Sequence, residues 1–207
     1  MTNPSATLFR SVRAANWRGA MAGLGVVGLL AVGGCGDEAP PVAKLTAAQV
    51  QEQLAEPVAG QPPAARKLEE QAGEVLRGGS DPAKLVETKV GELKGTPVVV
   101  NVWADWCQPC KKEMPIFQRV ALDQRGKVAF FAVASQAPEA KTVAYLREQI
   151  ALPYPSVIDE DGKVIEGTGV DGLPKTFFYD RTGKRFVHNG PYETEAALLA
   201  DIARYAS

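Results

Sequence analysis

Three cysteines and a single histidine in 207 residues leave little room for metal chemistry. Once Cys107 and Cys110 are set aside as a CxxC pair, only Cys35 and His188 remain, and a lone pair makes no closed tetrahedral zinc site. No metal is expected, and the CxxC itself argues against a Cys-His protease arrangement. The chain also lacks a charge surplus: 23 Lys and Arg stand against 24 Asp and Glu. No basic patch with interleaved aromatics occurs, so nucleic acid is not an expected partner. Aromatic residues are sparse at 7%, and an apolar fraction of 45% suffices for one ordinary core rather than two full domains. No apolar run reaches the roughly 20 residues of a membrane span. No internal repeat is visible.

The N-terminus is different in character. Residues 1–34 hold Arg10, Arg13 and Arg18 and no acid, with an almost uninterrupted apolar stretch from Ala20 to Val32, which reads as a secretory signal. The stretch ends at Val32-Gly33-Gly34-Cys35, which resembles the bacterial lipobox, so Cys35 is the expected lipidation site. An uncleaved anchor, and a cleaved signal with Cys35 incidental, are the blander alternatives. Each of the three puts the catalytic part outside the cytoplasm. Without residues 1–34 the chain has 20 basic and 24 acidic residues, a formal charge of −4. Residues 35–63, rich in Ala and Pro, read as a tether with a short helix over Ala47 to Leu54.

Cys107 and Cys110 follow the apolar run Val98 to Trp103 and open a helix. Unpaired N–H groups and the positive end of the helix dipole stabilise a thiolate at that place, the form that attacks disulfides. Cys107 is therefore the expected nucleophile and Cys110 the thiol that resolves the mixed disulfide. With Cys35 assigned to lipid, no further cysteine is left to build a structural disulfide, so the pair is expected to do redox work. Pro109 lacks an N–H where the helix would leave one unpaired, and it stiffens the turn.

Trp-Cys-x-Pro-Cys after an apolar strand resembles the thioredoxin superfamily. Asn-Val-Trp-Ala before it and Lys-Lys-Glu after it are similar to the extracytoplasmic branch of TlpA- and ResA-like proteins and the reductases of cytochrome c maturation. The resemblance runs from about Leu93 to the C-terminus. It implies that Gly172-Leu173-Pro174-Lys175-Thr176 is a cis-proline loop facing the CxxC, with Leu173 and Pro174 presenting backbone groups to substrate. It also implies that Glu113 sits near the thiols, as proton acceptor for Cys110 or as a charge tuning both thiols. A solvated glutamate in the first turns of a helix is the plain alternative. Asn101 stands where cytoplasmic thioredoxins carry a buried Asp, and it cannot ionise. Trp106 is expected to shield the thiol and meet partner proteins, Trp103 to be core, Lys111 and Lys112 to be solvated, Asp105 to lie on the surface, and His188 to have no catalytic role.

The element pattern agrees with an α/β fold: a thioredoxin-like domain over 64–207 with a mixed central sheet, helices on both faces and a helical N-terminal extension. The spacing predicts helices over 64–76, from Asp81-Pro82 to Leu93, over 108–124 with a kink at Pro115, over 138–150 and over 194–205. It predicts strands over 98–103 and 128–135, an edge-like segment over 154–159, and a hairpin of 176–180 with 184–188.

The expected activity is that of a lipid-anchored thiol:disulfide oxidoreductase on the extracytoplasmic face of the bacterial membrane. It needs no cofactor beyond the Cys107/Cys110 disulfide, is recharged by a membrane electron donor, and reduces disulfides in exported proteins such as apocytochrome c. An oxidase that introduces disulfides and a non-enzymatic chaperone module are the rival readings. Lipidation predicts a mass gain on the mature N-terminus that vanishes in Cys35→Ala; an unmodified, freely soluble product would remove the anchor.

Overall fold

Every residue of Val98–Trp103 is buried, as a strand covered on both faces requires, and this strand (β2) lies inside a six-stranded sheet. The computed structural model describes residues 42–169 and 172–207; the expected signal sequence, Cys35 and the first residues of the tether lie outside the described residues. The elements in chain order are α1 (Ala47–Ala55), α2 (Pro63–Glu69), β1 (Val75–Arg77), α3 (Pro82–Glu92), β2, α4 (Gln108–Asp123), β3 (Ala129–Ser135), α5 (Glu139–Glu148), β4 (Ser156–Asp159), β5 (Lys175–Tyr179), β6 (Arg185–Asn189) and α6 (Glu195–Tyr205). The sheet order is β1-β4-β3-β2-β5-β6. The first four strands are mutually parallel, and β5 and β6 run antiparallel to their neighbours.

Alternation along β2 divides the core in two. Val99 and Trp103 face Met114, Phe117 and Val120 of α4, Leu146 of α5 and Leu198 and Ile202 of α6. Val98, Val100 and Val102 face Leu68 of α2 and Val86 of α3. This is the thioredoxin arrangement expected from the sequence. α4 runs through Pro115 as one helix.

Two expectations need correction. The helix read over 64–76 ends at Glu69, and Val75–Arg77 is a strand. Gly73 takes a left-handed φ of 74° and its N–H donates to the Tyr154 carbonyl, 3.2 Å away, so the chain turns out of the helix there. Val75 and Leu76 then pair with Ser156 and Val157, which outweighs their helical spacing. For the same reason the segment read as edge-like is interior: β4 has β1 on one side and β3 on the other.

The described part of the 35–63 segment lies against α4. Thr46 and Gln49 form a capping box at the start of α1, and Val50 is 1% exposed. The Gln118 amide donates to the carbonyls of Leu45 and Ala151 and accepts the Leu45 N–H. Arg125 donates to the carbonyls of Gln53, Leu54 and Glu56 at the C-terminus of α1 and pairs with Glu69. Those carbonyls have no partners within the helix, and a cation is favoured at that end. Arg125→Ala is expected to cost about 1–3 kcal/mol and to expose the α1–α2 connection to protease before the rest of the domain. Chemical denaturation and limited proteolysis with mass mapping check this.

Candidate active site

The loop Ala104-Asp105-Trp106 leaves the end of β2 and turns into α4 through Cys107, the N-cap residue. The Cys107 N–H donates to the Ala104 carbonyl at 3.1 Å, and the Cys107 sulfur accepts the Cys110 N–H at 3.3 Å. Cys107 and Cys110 form a disulfide with their Cα atoms 5.3 Å apart. Cys107 keeps 3% of its surface exposed and Cys110 none, so the N-cap cysteine is the less deeply buried of the two. Pro109 is exposed in the first turn beside them.

Trp106 is 53% exposed, an outlying position for a large apolar side chain, and its indole N–H donates to the Gln136 carbonyl at 2.8 Å. That bond holds the ring in place while leaving much of its surface free. Trp103 is fully buried against Tyr145. The Lys111 ammonium is not simply solvated: it lies 5.1 Å over the Tyr145 ring, which keeps a positive charge on the first turn of α4. Asp105 is only half-exposed, with one carboxylate oxygen buried. On the antiparallel side of β2, the pairing of Val102 with Lys175 carries Pro174 to the same end of the sheet. The Leu173–Pro174 peptide bond is cis, and Leu173 is half-buried beside it.

Glu113 follows Cys110 by three residues on α4, which puts the two on one side of the helix. It has no exposed surface, so the reading of a solvated surface glutamate is overturned. One carboxylate oxygen accepts from Asn101 Nδ2 and the other from the Tyr192 backbone N–H, both at 2.9 Å. Burial pushes the carboxyl up to about 8, against the opposing effect of those two donors. Asn101 suits this position in a way an aspartate would not. Its Oδ1 is buried without a partner, and turning the amide over exchanges donor for acceptor, so it can serve Glu113 as carboxylate or as acid. The buried Tyr154 hydroxyl is driven upward by burial and by the nearby Glu113 charge.

Cys107, Cys110, Glu113, Trp106, Pro109, Leu173 and Pro174, the site residues expected from the sequence, lie on α4 or on loops at this end of the sheet. Tyr192 was not foreseen. It reaches Glu113 across 79 residues of chain, and nothing in its local sequence signals a role. Gln136, which holds Trp106 and has a left-handed φ of 56°, was likewise silent. Among the described residues no group of three or more His, Cys, Asp or Glu side chains is placed to hold a metal ion.

A family model described as AhpC/TSA matches residues 81–184, half of the chain. The thiol-disulfide oxidoreductase ResA of Geobacillus thermodenitrificans is 34% identical over 99 residues, which cover 47% of this chain and 56% of that protein. The thiol:disulfide interchange protein DsbE of Pseudomonas fluorescens biotype C is 37% identical over 93 residues, covering 44% and 50%. The chain thus spans about half the length of the curated relatives it matches. Among solved structures, a thiol:disulfide interchange protein DsbE from Chlorobium tepidum aligns with a TM-score of 0.51 at 25% identity over 56% of this chain and 84% of its own. The exposed lipoprotein thioredoxin of Streptococcus pneumoniae aligns at 0.50 and 25%, over 56% and 89%.

The raised Glu113 has a consequence for stability. A carboxyl held near 8 in the native state and near 4.5 when unfolded binds more proton in the native state between those values. Its contribution is therefore complete below about pH 4.5 and is lost as pH rises towards about 8. Glu113→Gln, which stays neutral, is expected to remove this loss. Denaturation midpoints of the oxidised protein and variant should move apart in the variant's favour as pH rises across that window; parallel curves would contradict the buried acid.

Proposed function

The chain belongs to the AhpC/TSA family of the thioredoxin superfamily, and on that footing we propose that it is a thiol:disulfide oxidoreductase that reduces disulfides in exported proteins. The observation that carries the reading is the Cys107–Cys110 disulfide at the N-terminus of α4 with a buried acid three residues on. The names of the ResA and DsbE relatives support it.

In the reduced enzyme the Cys107 thiolate attacks one sulfur of the target disulfide, forming a mixed disulfide and releasing the other target sulfur as a thiolate that takes a proton. The Cys110 thiol then gives its proton to Glu113 and attacks the Cys107 sulfur. This breaks the mixed disulfide, releases the second target sulfur as a thiolate that takes the proton from Glu113, and leaves Cys107–Cys110 oxidised. Two electrons and the Cys110 proton have passed from the enzyme to the target, the other proton coming from solvent, and a membrane electron donor restores the reduced pair. A carboxyl whose affinity for the proton lies near neutrality is matched to this transfer. Trp106, Pro109 and the half-buried Leu173 form the surface offered to an extended thiol-bearing segment, with Pro174 buried next to Leu173; the haem-binding cysteines of apocytochrome c are the candidate. The chemistry uses no cofactor besides the disulfide itself.

The lipobox-like ending at Cys35 supports a lipid anchor on the extracytoplasmic face of the membrane, and a lipoprotein thioredoxin is among the solved structures the chain resembles. Among the described residues no helix is long and apolar enough to cross a membrane.

The equilibrium reduction potential of the Cys107/Cys110 couple tests the direction of flow. A value near or below about −250 mV marks a strong reductant, as expected; one above about −180 mV would replace the reductase with an oxidase. Cys107→Ser is expected to abolish turnover, whereas Cys110→Ser should accumulate the mixed disulfide, visible by mass. Suppression of aggregation without any thiol exchange would sink the redox reading.

A further inference from the structure

The Tyr192 N–H that holds Glu113 belongs to the connection between β6 and α6, where Gly190 takes a φ of 103° and Pro191 follows. A loop of that composition does not by itself place a donor to within hydrogen-bond tolerance. The Tyr192 side chain is fixed from three directions. Its hydroxyl donates to Asp201 Oδ2 on α6 at 2.7 Å, and its ring stacks on His188 of β6 with centroids 4.4 Å apart. It also meets Phe117 of α4 edge-on at 5.9 Å. The same Asp201 oxygen lies 3.2 Å from His188 Nδ1, so Asp201 ties the edge strand, the loop and the C-terminal helix to one point. The sheet register continues the connection: Asn101 pairs with Thr176, and Thr176 with His188. Both residues that donate to Glu113 are therefore linked to His188, one through the sheet and one through the Tyr192 ring.

We propose that Asp201 and His188 are positioning residues for the redox site, holding Tyr192 so that its backbone N–H stays on the Glu113 carboxyl. Neither touches the reacting sulfurs; they act through Tyr192. The inference rests on the reading of Glu113 as proton acceptor for Cys110. The other titratable and charged groups around this cluster are Tyr154 near Glu113, Tyr205 on α6, and the Arg119–Glu195 pair, 3.9 Å apart, between α4 and α6. Lys175 on β5 bonds to Asn189 of β6. The Tyr192 donor stabilises the Glu113 carboxylate, so slackening it leaves a buried oxygen short of a partner and makes the acid harder to ionise.

The test is the pH profile for resolution of a mixed disulfide preformed on Cys107, followed in the full chain by stopped-flow tryptophan fluorescence. Tyr192→Phe removes one oxygen and keeps the ring; Asp201→Asn keeps the shape and removes the charge. Both are expected to move the Glu113 inflection upward by about half a pH unit or more, and His188→Gln to move it the same way. In a Glu113→Gln background none of them should move the profile. An inflection lost in Glu113→Gln but unmoved in Tyr192→Phe and Asp201→Asn, with melting curves like the wild type, overturns the positioning role alone. Shifts that persist in the Glu113→Gln background overturn it as well. An inflection that survives Glu113→Gln removes Glu113 as acceptor and this inference with it. Should Asp201→Asn fail to fold, Tyr192→Phe decides by itself.

Discussion

A carboxyl group with no exposed surface must take its hydrogen-bond donors from the protein around it, and Glu113 takes them from two distant parts of the chain. Asn101 comes from the central strand and Tyr192 from the connection before the last helix. Neither neutralises the charge, and two neutral donors do not offset the burial, so the proton is held at a pH where it can still be exchanged. An arginine in the same place would have fixed Glu113 as a carboxylate and removed it from proton chemistry. The arrangement depends on α4 lying between β2 and the β6–α6 connection, because only then can donors from both reach one side chain.

α4 thus sets two properties of the site at once. Its first turn places Cys107 at the helix N-cap, where backbone donors favour a thiolate, and its second places an acid within the core. The helix is held along its length. Gln118 and Arg119 bind the backbone of residues 43–45, and just past the helix end Arg125 caps α1. Segment 42–56 lies outside residues 81–184, the stretch the family model matches, yet it fastens onto the helix that carries the chemistry.

The end of the sheet that carries the disulfide is assembled from loops joined to strands that run in opposite directions. β2 leads into the Trp106 loop, β3 ends next to Gln136, whose carbonyl fixes that indole, and β5 begins directly after Pro174. Parallel pairing of β2 with β3 brings two strand ends together, and antiparallel pairing of β2 with β5 adds a strand beginning. A mixed sheet is what allows a proline loop and a helix N-terminus to share one end of the domain.

Much of this was legible in the residues themselves. The apolar run at 98–103, the CxxC at a helix start and the Gly-turned hairpin near 183 follow from short-range rules, so the sequence by itself determined the mixed α/β fold and the place of the Cys107–Cys110 pair at a helix start. Where it misled, at 64–76 and 154–159, helical spacing and strand pairing competed, and pairing between residues some 80 apart won. The state of Glu113 was decided only by tertiary structure. A glutamate in the second turn of a helix reads the same whether it faces water or the core, and its environment is made by Asn101, Tyr192 and, behind them, Asp201 and His188. Those residues are neighbours because three strands and two helices pack together, and no local pattern records which side chains such packing will bring into contact.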